Sequence, residues 1–359
     1  AKITNARVTN DKDGIDFFSS EEFGVNLPPR CSKCKGCKNC STEINQLTRE
    51  EMRELAVIKE NLVLNPLENR WTTVYPYKHN PKLLENNRTQ ADDLLFKMEK
   101  RVSKSEASKQ EYIDQFEDCI KRGVFREISD LEIQKYQGPA FYVTHHEVYT
   151  ENSLSTPLRL VVNSSLKYRG HCLNDMLMKG PNTLNCIFGI QLRFRTYPVP
   201  LVCDMTKFYH SVFTTETERH VRRIRWRNFD PEQEVKTYGI ENVMFGDRPA
   251  AAICSTAVRQ TAEIYQEIHP EAAKRIIEDS YVDDLATGGE NDEEVDSLER
   301  GIMEILERGG FKIKGFVRSG DVTDDQLTLL GSGKIGRVLG PGWDPKEDVF
   351  LVHARINLS

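Results

Sequence analysis

The side chains with the clearest chemical potential are acids. Tyr281-Val282-Asp283-Asp284 places two adjacent carboxylates among apolar neighbours, and Leu201-Val202-Cys203-Asp204-Met205 runs through an apolar stretch into a third. Like charges at close range cannot all stay ionised without compensation. Divalent cations supply it, and magnesium prefers oxygen ligands from one or two carboxylates together with substrate phosphates. Two-metal phosphoryl transfer needs carboxylates from separate elements, converging on ions about 4 Å apart. Asp204 and the Asp283/Asp284 pair satisfy that requirement if the chain folds them together. Each alone has a plainer reading: a solvated acidic turn for Asp283-Asp284, and a helix N-cap for Asp204.

Such acids need elements to hold them. Val199 to Cys203 reads as a short buried strand, and Tyr281 to Ala286 as a strand pair with a turn at its centre. Phe141-Tyr142-Val143 and Leu158 to Val162 read as two strands of a hairpin-like unit joined by the polar stretch Glu147 to Thr156. Phe311 to Val317 and Val338 to Trp343 are late strands. Helical spacing appears at Leu94, Leu95, Met98 and Val102, and again at Tyr112, Phe116, Cys119 and Ile120, where Gly123 suits the C-terminal end. Leu184 to Phe194, Ala250 to Ile268 and Val295 to Leu306 are further helices. Thr48 and Glu51 form a capping box for an earlier one, with Met52, Leu55 and Ala56 on one face. Pro66, Pro76 and Pro81 punctuate a loop-like connection. Strands and helices alternate in blocks, which predicts an α+β fold with an antiparallel sheet and helices packed on one face.

With 359 residues the chain can bury one large core or two smaller ones. Hydrophobic content of 38% with 29% charged residues excludes global disorder. No apolar run approaches the ~20 residues of a membrane span. No secretory leader is expected at Ala1-Lys2-Ile3-Thr4, and the missing initiator Met points to a piece of something longer. A net charge of −6 does not announce a polyanion binder, but the charge is segregated. Glu290, Asp292, Glu293, Glu294, Asp296 and Glu299 form an acidic run, and Arg219, Arg222, Arg223, Arg225 and Arg227 a basic one.

Asp204-Met205-Thr206-Lys207-Phe208-Tyr209 followed by Tyr281-Val282-Asp283-Asp284 resembles motifs A and C of reverse transcriptases. Phe245-Gly246-Asp247-Arg248-Pro249 resembles motif B, Pro157 to Asn163 the fingers strand, and Val338 to Trp343 the primer grip. The wording is closer still to the BEL/Pao class of LTR retrotransposons, in His145-His146-Glu147-Val148, Leu173-Asn174-Asp175, Leu192-Arg193-Phe194-Arg195 and Arg219 to Ile224. The resemblance covers roughly Pro28 to Leu351, in the family's order.

What the resemblance implies is a right hand: an N-terminal extension over 1–75, mainly fingers over 76–200, palm over 201–345 and a truncated start of connection or thumb over 346–359. The implied activity is RNA- and DNA-directed DNA polymerisation by nucleotidyl transfer from dNTPs to a primer 3′-hydroxyl. Asp204, Asp283 and Asp284 would be catalytic. With the Met205 carbonyl they would bind two Mg²⁺ ions, or Mn²⁺ in their place. Arg159 would hold triphosphate oxygens. Tyr209 would be a steric gate against a ribose 2′-hydroxyl; its bland reading is a core aromatic beside Phe208. Phe245 and Gly246 would lie against the nucleotide, and Lys312 or Lys314 would protonate pyrophosphate. Implied partners are an RNA or DNA template with primer, dNTPs, and the protease, RNase H and integrase of the same polyprotein, with no membrane. The implied location is a cytoplasmic retrotransposon particle or the nucleus. Departures are a stretch, Thr144 to Pro157, without Lys or Arg, and a polar lead-in to motif C at Ile277-Glu278-Asp279-Ser280. The alternative is a truncated or domesticated fold of this type that binds nucleic acid or partners without catalysis. An RNA-copying RNA polymerase is disfavoured by Tyr209.

Cys31, Cys34, Cys37 and Cys40, interleaved with Lys33, Lys35 and Lys38, are too regular for core residues. Structural Zn²⁺ and a basic thiol-rich linker stand level as readings, ahead of an iron–sulfur string. Cys119, Cys172, Cys186, Cys203 and Cys254 read as reduced, buried or half-buried thiols. His145-His146-Glu147 looks metal-like, but neighbours on a strand face opposite ways, so a structural role is expected.

Overall fold

The computed structural model describes residues 47–149, 158–320, 336–337 and 339–351. The cysteine cluster at 31–40, and Pro157 and Val338, lie outside these residues. The fold is α+β, as expected, with small, mostly antiparallel sheets and helices packed around them.

The sheet that matters for chemistry has four strands in the order Ser280–Tyr281, Asp284–Gly289, Val199–Thr206 and Lys312–Arg318, all antiparallel. Val199–Thr206 lies inside it and is covered on both faces, which is why its sequence is almost continuously apolar. Cys203, Met205 and Leu285 face the main core with the helices Ala250–Tyr265, Pro270–Asp279 and Asp292–Arg308. Val202, Ala286 and Val317 face a second cluster with Ile190 and Phe194 of the Ile187–Phe194 helix, and Trp343. The long helices therefore do share one face. The expectation of helices on that face alone is corrected, because an apolar strand still needs cover on its other side.

The same core continues into an aromatic cluster. The helices Arg88–Val102 and Glu106–Lys121 pack near the hairpin Thr144–Tyr149/Leu158–Asn163 and the sheet Phe125–Glu127, Lys236–Ile240 and Arg223–Trp226. At its centre Phe116, fully buried, stacks on Trp226 with ring centroids 4.2 Å apart and meets Phe125 at 4.9 Å. Ile120, expected on this face, is exposed instead.

Other sequence boundaries shift for physical reasons. Phe141-Tyr142-Val143 is not a hairpin strand; Tyr142 bridges to Arg223, and the paired strand begins at Thr144. The Arg49–Asn61 helix has the capping box, with Glu51 N–H donating to the Thr48 hydroxyl at 3.1 Å, but Met52 and Ala56 are exposed and Ile58 is its buried contact. That helix packs against Ala250–Tyr265, and Arg70–Thr73 pairs in parallel with Val212–Thr214, so residues from 49 onward belong to the main body. The loop-like reading around Pro66 is replaced by a strand pair, Val63–Asn65 and Arg70–Thr73. The polar lead-in Ile277-Glu278-Asp279 is the end of the Pro270–Asp279 helix rather than a strand. The Gly342–Asp344 strand pairs with both Gly336–Arg337 and Val349–Leu351, which carries this small sheet past residue 345. Cys186 is exposed, against expectation, while Cys119, Cys172, Cys203 and Cys254 are buried.

The basic run is consumed internally. Arg219 pairs with Glu241, Arg225 with Asp92 at 2.5 Å and Arg227 with Glu99 at 2.7 Å, while Arg222 and Asp247 form a pair with both side chains fully buried. In the acidic run, Asp296 and Glu299 hold Arg318 at 2.7 and 2.8 Å. The basic run is therefore not an open charged face, whereas Glu290, Asp292, Glu293 and Asp296 of the acidic run remain exposed.

Truncating Phe116 to alanine should lower unfolding free energy by roughly 3–5 kcal/mol, since the aromatic cluster cannot collapse onto the void. Urea denaturation followed by tryptophan fluorescence, which reports on Trp226, is the check.

Candidate metal centre

The carboxylates meet because of strand register. Asp284 lies directly opposite Asp204 in the antiparallel ladder, and Ala286 lies opposite Val202. Side chains two apart share a face, so the two acids continue the row of Val202 and Ala286 beyond the apolar cover. The hairpin turn is Val282-Asp283. Val282 has φ 57°, a left-handed conformation that a β-branched residue adopts only under constraint, at about 1–3 kcal/mol. The constraint is visible: the Met205 N–H donates to the Asp283 carbonyl at 2.7 Å, tying the turn to the strand beside it. One ligand oxygen from each of Asp204, Asp283 and Asp284 lies within 4.8 Å of the others, and all three residues are half-buried.

The turn is also braced from below. The Asn185 amide donates to the carbonyls of Ile277 and Ser280 at 2.8 and 2.9 Å, and Arg259 donates to the Asn185 oxygen at 2.8 Å. Asp279, fully buried, accepts from Arg193 and from Thr287, both at 2.7 Å. The polar character of the segment before Tyr281 is thus a set of pins that orient the hairpin.

Crowding raises all three acids. Burial, then the Asp283 charge, pushes Asp204 above the usual carboxylate range, with Lys314 and Arg159 opposing. Burial raises Asp283 too, again against Arg159. Asp284 is pushed up to about 7 by burial and then by its two acidic neighbours. Three half-buried oxygen donors that cannot all ionise comfortably form a donor set suited to Mg²⁺.

Cationic and aromatic groups surround them. Arg159 is exposed on its hairpin strand, and its charge acts on both Asp204 and Asp283. Of the two candidate lysines, Lys314 acts on Asp204; it sits in a bulge between Ile313 and Phe316, where the Lys312–Arg318 strand slips register against Val199–Thr206. Bulges re-aim side chains in this way. Lys312 pairs opposite Thr206, toward the strand end. Phe208 is buried in the core, whereas Tyr209 is half-buried with its ring edge-on to Phe245 at 4.4 Å. Burial, then Cys254 and Asp283, pushes the Tyr209 hydroxyl up to about 12. Phe245 is 41% exposed. Gly246 has φ 100°, and a Cβ there would stand 2.1 Å from the Val162 carbonyl oxygen, so only glycine fits.

His145 takes the structural role expected. Its ring lies between the Tyr112 hydroxyl at 2.5 Å and the Arg225 carbonyl at 3.0 Å, and burial pulls it down to about 4. Glu147 accepts a two-pronged contact from Arg101 instead of facing a metal. Ser164 and Asn185 fall outside the motifs read in the sequence, and Asn174, Arg193, Arg222 and Asp247 fall inside them without a role of their own. Their partners lie far along the chain, so no local spacing marks them.

No protein-family model matches this chain, and no curated protein matches it in sequence. Among the described residues no helix is long and apolar enough to cross a membrane.

The acids make stability depend on pH. Asp284 keeps a proton up to about pH 7 in the fold, whereas an unfolded aspartate releases it near pH 4. Between those values the native state binds more protons than the unfolded chain, so stability falls as pH rises through the window. Without divalent cations, thermal melts should show a loss on the order of a few kcal/mol from pH 4 to 7, largely removed in Asp284→Asn. Magnesium should raise the melting temperature more at pH 8 than at pH 5.

Proposed function

We propose that the chain is the fingers and palm of a right-hand DNA polymerase of reverse-transcriptase type, from a retrotransposon polyprotein. The observation that carries the reading is the convergence of Asp204, Asp283 and Asp284, from two separate stretches, within 4.8 Å on adjacent strands. Its support is the company they keep: an exposed arginine, a lysine in a bulge, and a tyrosine edge-on to a phenylalanine above a glycine that no other residue could replace.

Asp204 and Asp283, with Asp284 beside them and the Met205 carbonyl, are the groups that would hold two magnesium ions. Bound there, the ions supply Lewis acidity toward the primer 3′-hydroxyl and charge neutralisation for the triphosphate. Arg159 offers the triphosphate a planar fork of donors. Lys314, whose charge reaches Asp204, is better situated than Lys312 to give a proton to the departing pyrophosphate. The Tyr209 ring, backed by Phe245, stands where bulk at the sugar 2′ position would be refused. Gly246 lets the loop backbone come close to the bound nucleotide. Template, primer and dNTPs are the partners this reading requires.

Primer extension with magnesium and dNTPs, on RNA and on DNA templates, is the direct test. Asp204→Asn and Asp283→Asn should each lower kcat at least about 10²-fold, as loss of a charge clamp does. Equal extension by the unaltered chain and by Asp283→Asn would leave only a nucleic-acid-binding role. Tyr209→Val should raise NTP insertion relative to dNTP by about tenfold or more.

A further inference from the structure

We propose that Asn174 and Asp247 are positioning residues that set how tightly, and how selectively, the cleft takes a deoxynucleoside triphosphate. The inference rests on the polymerase reading and deepens it.

Phe245 backs Tyr209 yet is itself 41% exposed, so little packing holds it from outside. Its place is decided by the loop that follows, and that loop is pinned by polar contacts on both sides. The Asn174 amide donates to the Gly246 carbonyl at 2.9 Å and to the Ser165 hydroxyl at 2.8 Å, and its oxygen accepts from the Arg248 N–H at 2.8 Å. One side chain therefore splints the backbone across Gly246 to Arg248. On the other side, the Asp247 carboxylate accepts from the Ser164 and Tyr75 hydroxyls, both at 2.5 Å, and from Arg222 at 3.3 Å.

The identity of the anchors gives the arrangement its meaning. Ser164 and Ser165 follow immediately on Leu158–Asn163, the strand that presents Arg159. Gly246 presses against Val162 of that same strand. The splint thus joins the loop beneath the nucleotide's sugar to the strand whose arginine reaches toward its phosphates. Two contacts made by opposite ends of one substrate are held at a fixed separation. A fully buried Asp–Arg pair contributes little net stability compared with apolar packing of the same volume; what Asp247 adds is directional bonds to Ser164, Tyr75 and Arg222. Displacements on the order of 1 Å in such a frame cost substrate affinity without touching the carboxylates.

The test is single-nucleotide insertion of dATP and of ATP opposite a template thymine, with magnesium, by the unaltered 359-residue chain and by variants. Asn174→Ala and Asn174→Asp remove the two donated bonds from a half-buried site, so they should fold even if Asp247→Asn does not. Both are expected to raise KM for dATP roughly tenfold with kcat within about twofold, and to narrow the preference for dATP over ATP. Ser164→Ala should move both quantities the same way by less. Unchanged KM and unchanged preference in an active, folded Asn174→Ala would overturn the inference. So would a fall in kcat alone, or losses that merely track a lowered melting temperature. An unaltered chain that inserts nothing overturns the polymerase reading and this inference together; an active one with indifferent Asn174 variants overturns the inference alone.

Discussion

Three carboxylates that repel one another are held in one place, and the surrounding fold is organised around keeping them there. Asp204 and Asp284 are opposed by strand register, and Asp283 is turned toward them by a hairpin whose Val282 sits in a left-handed conformation. Each of these features opposes folding in isolation. They persist because the Met205–Asp283 backbone bond, the buried faces of Val199–Thr206 and the Asn185 contacts over-determine the local geometry. The cost appears in the raised affinity of Asp284 for a proton, and a divalent cation would relieve it.

The surroundings of the acids and of Arg159 are secured by different physics. Beneath the acids, cohesion is partly polar, with Asp279 between Arg193 and Thr287 as a buried pin. Around the hairpin with Arg159, an aromatic cluster of Phe116, Trp226, Phe125 and Tyr112 provides bulk cohesion, while buried arginines fix directions. The Asp247 and Asn174 contacts tie the loop at 245–248 to the residues that follow the Leu158–Asn163 strand. Polar ties suit such a joint, since directional bonds specify distance and angle where apolar packing specifies mainly volume.

Much of this is legible in the sequence alone. Asp204 at the end of an apolar run and the Tyr281-Val282-Asp283-Asp284 hairpin announced both the strand and the turn, because burial on both faces and a two-residue turn leave local signatures. The capping box at Thr48 and the amphipathic Asp292–Arg308 helix were equally plain. The misreadings share one cause. Phe141-Tyr142-Val143 and Met52 are apolar, and apolarity alone does not say which neighbour will cover a residue. The polar Ile277-Glu278-Asp279 looked like a poor strand because its compensation, Arg193 and Asn185, lies far back in the chain.

The amino-acid sequence by itself determined the donor chemistry: one oxygen acid at the end of an apolar strand and two on a hairpin turn, an aromatic after the first, and a glycine that tolerates positive φ. Those are properties of residue type and of spacing within a few positions, so they survive without a partner. Only the tertiary structure decided that the basic run would be consumed as internal pairs, that Lys314 rather than Lys312 would act on Asp204, and that Asp247 would tie its loop to the residue after the Leu158–Asn163 strand. Each of those outcomes depends on which distant group arrives within hydrogen-bond or Coulomb range, a distance that chain folding sets and local composition does not encode.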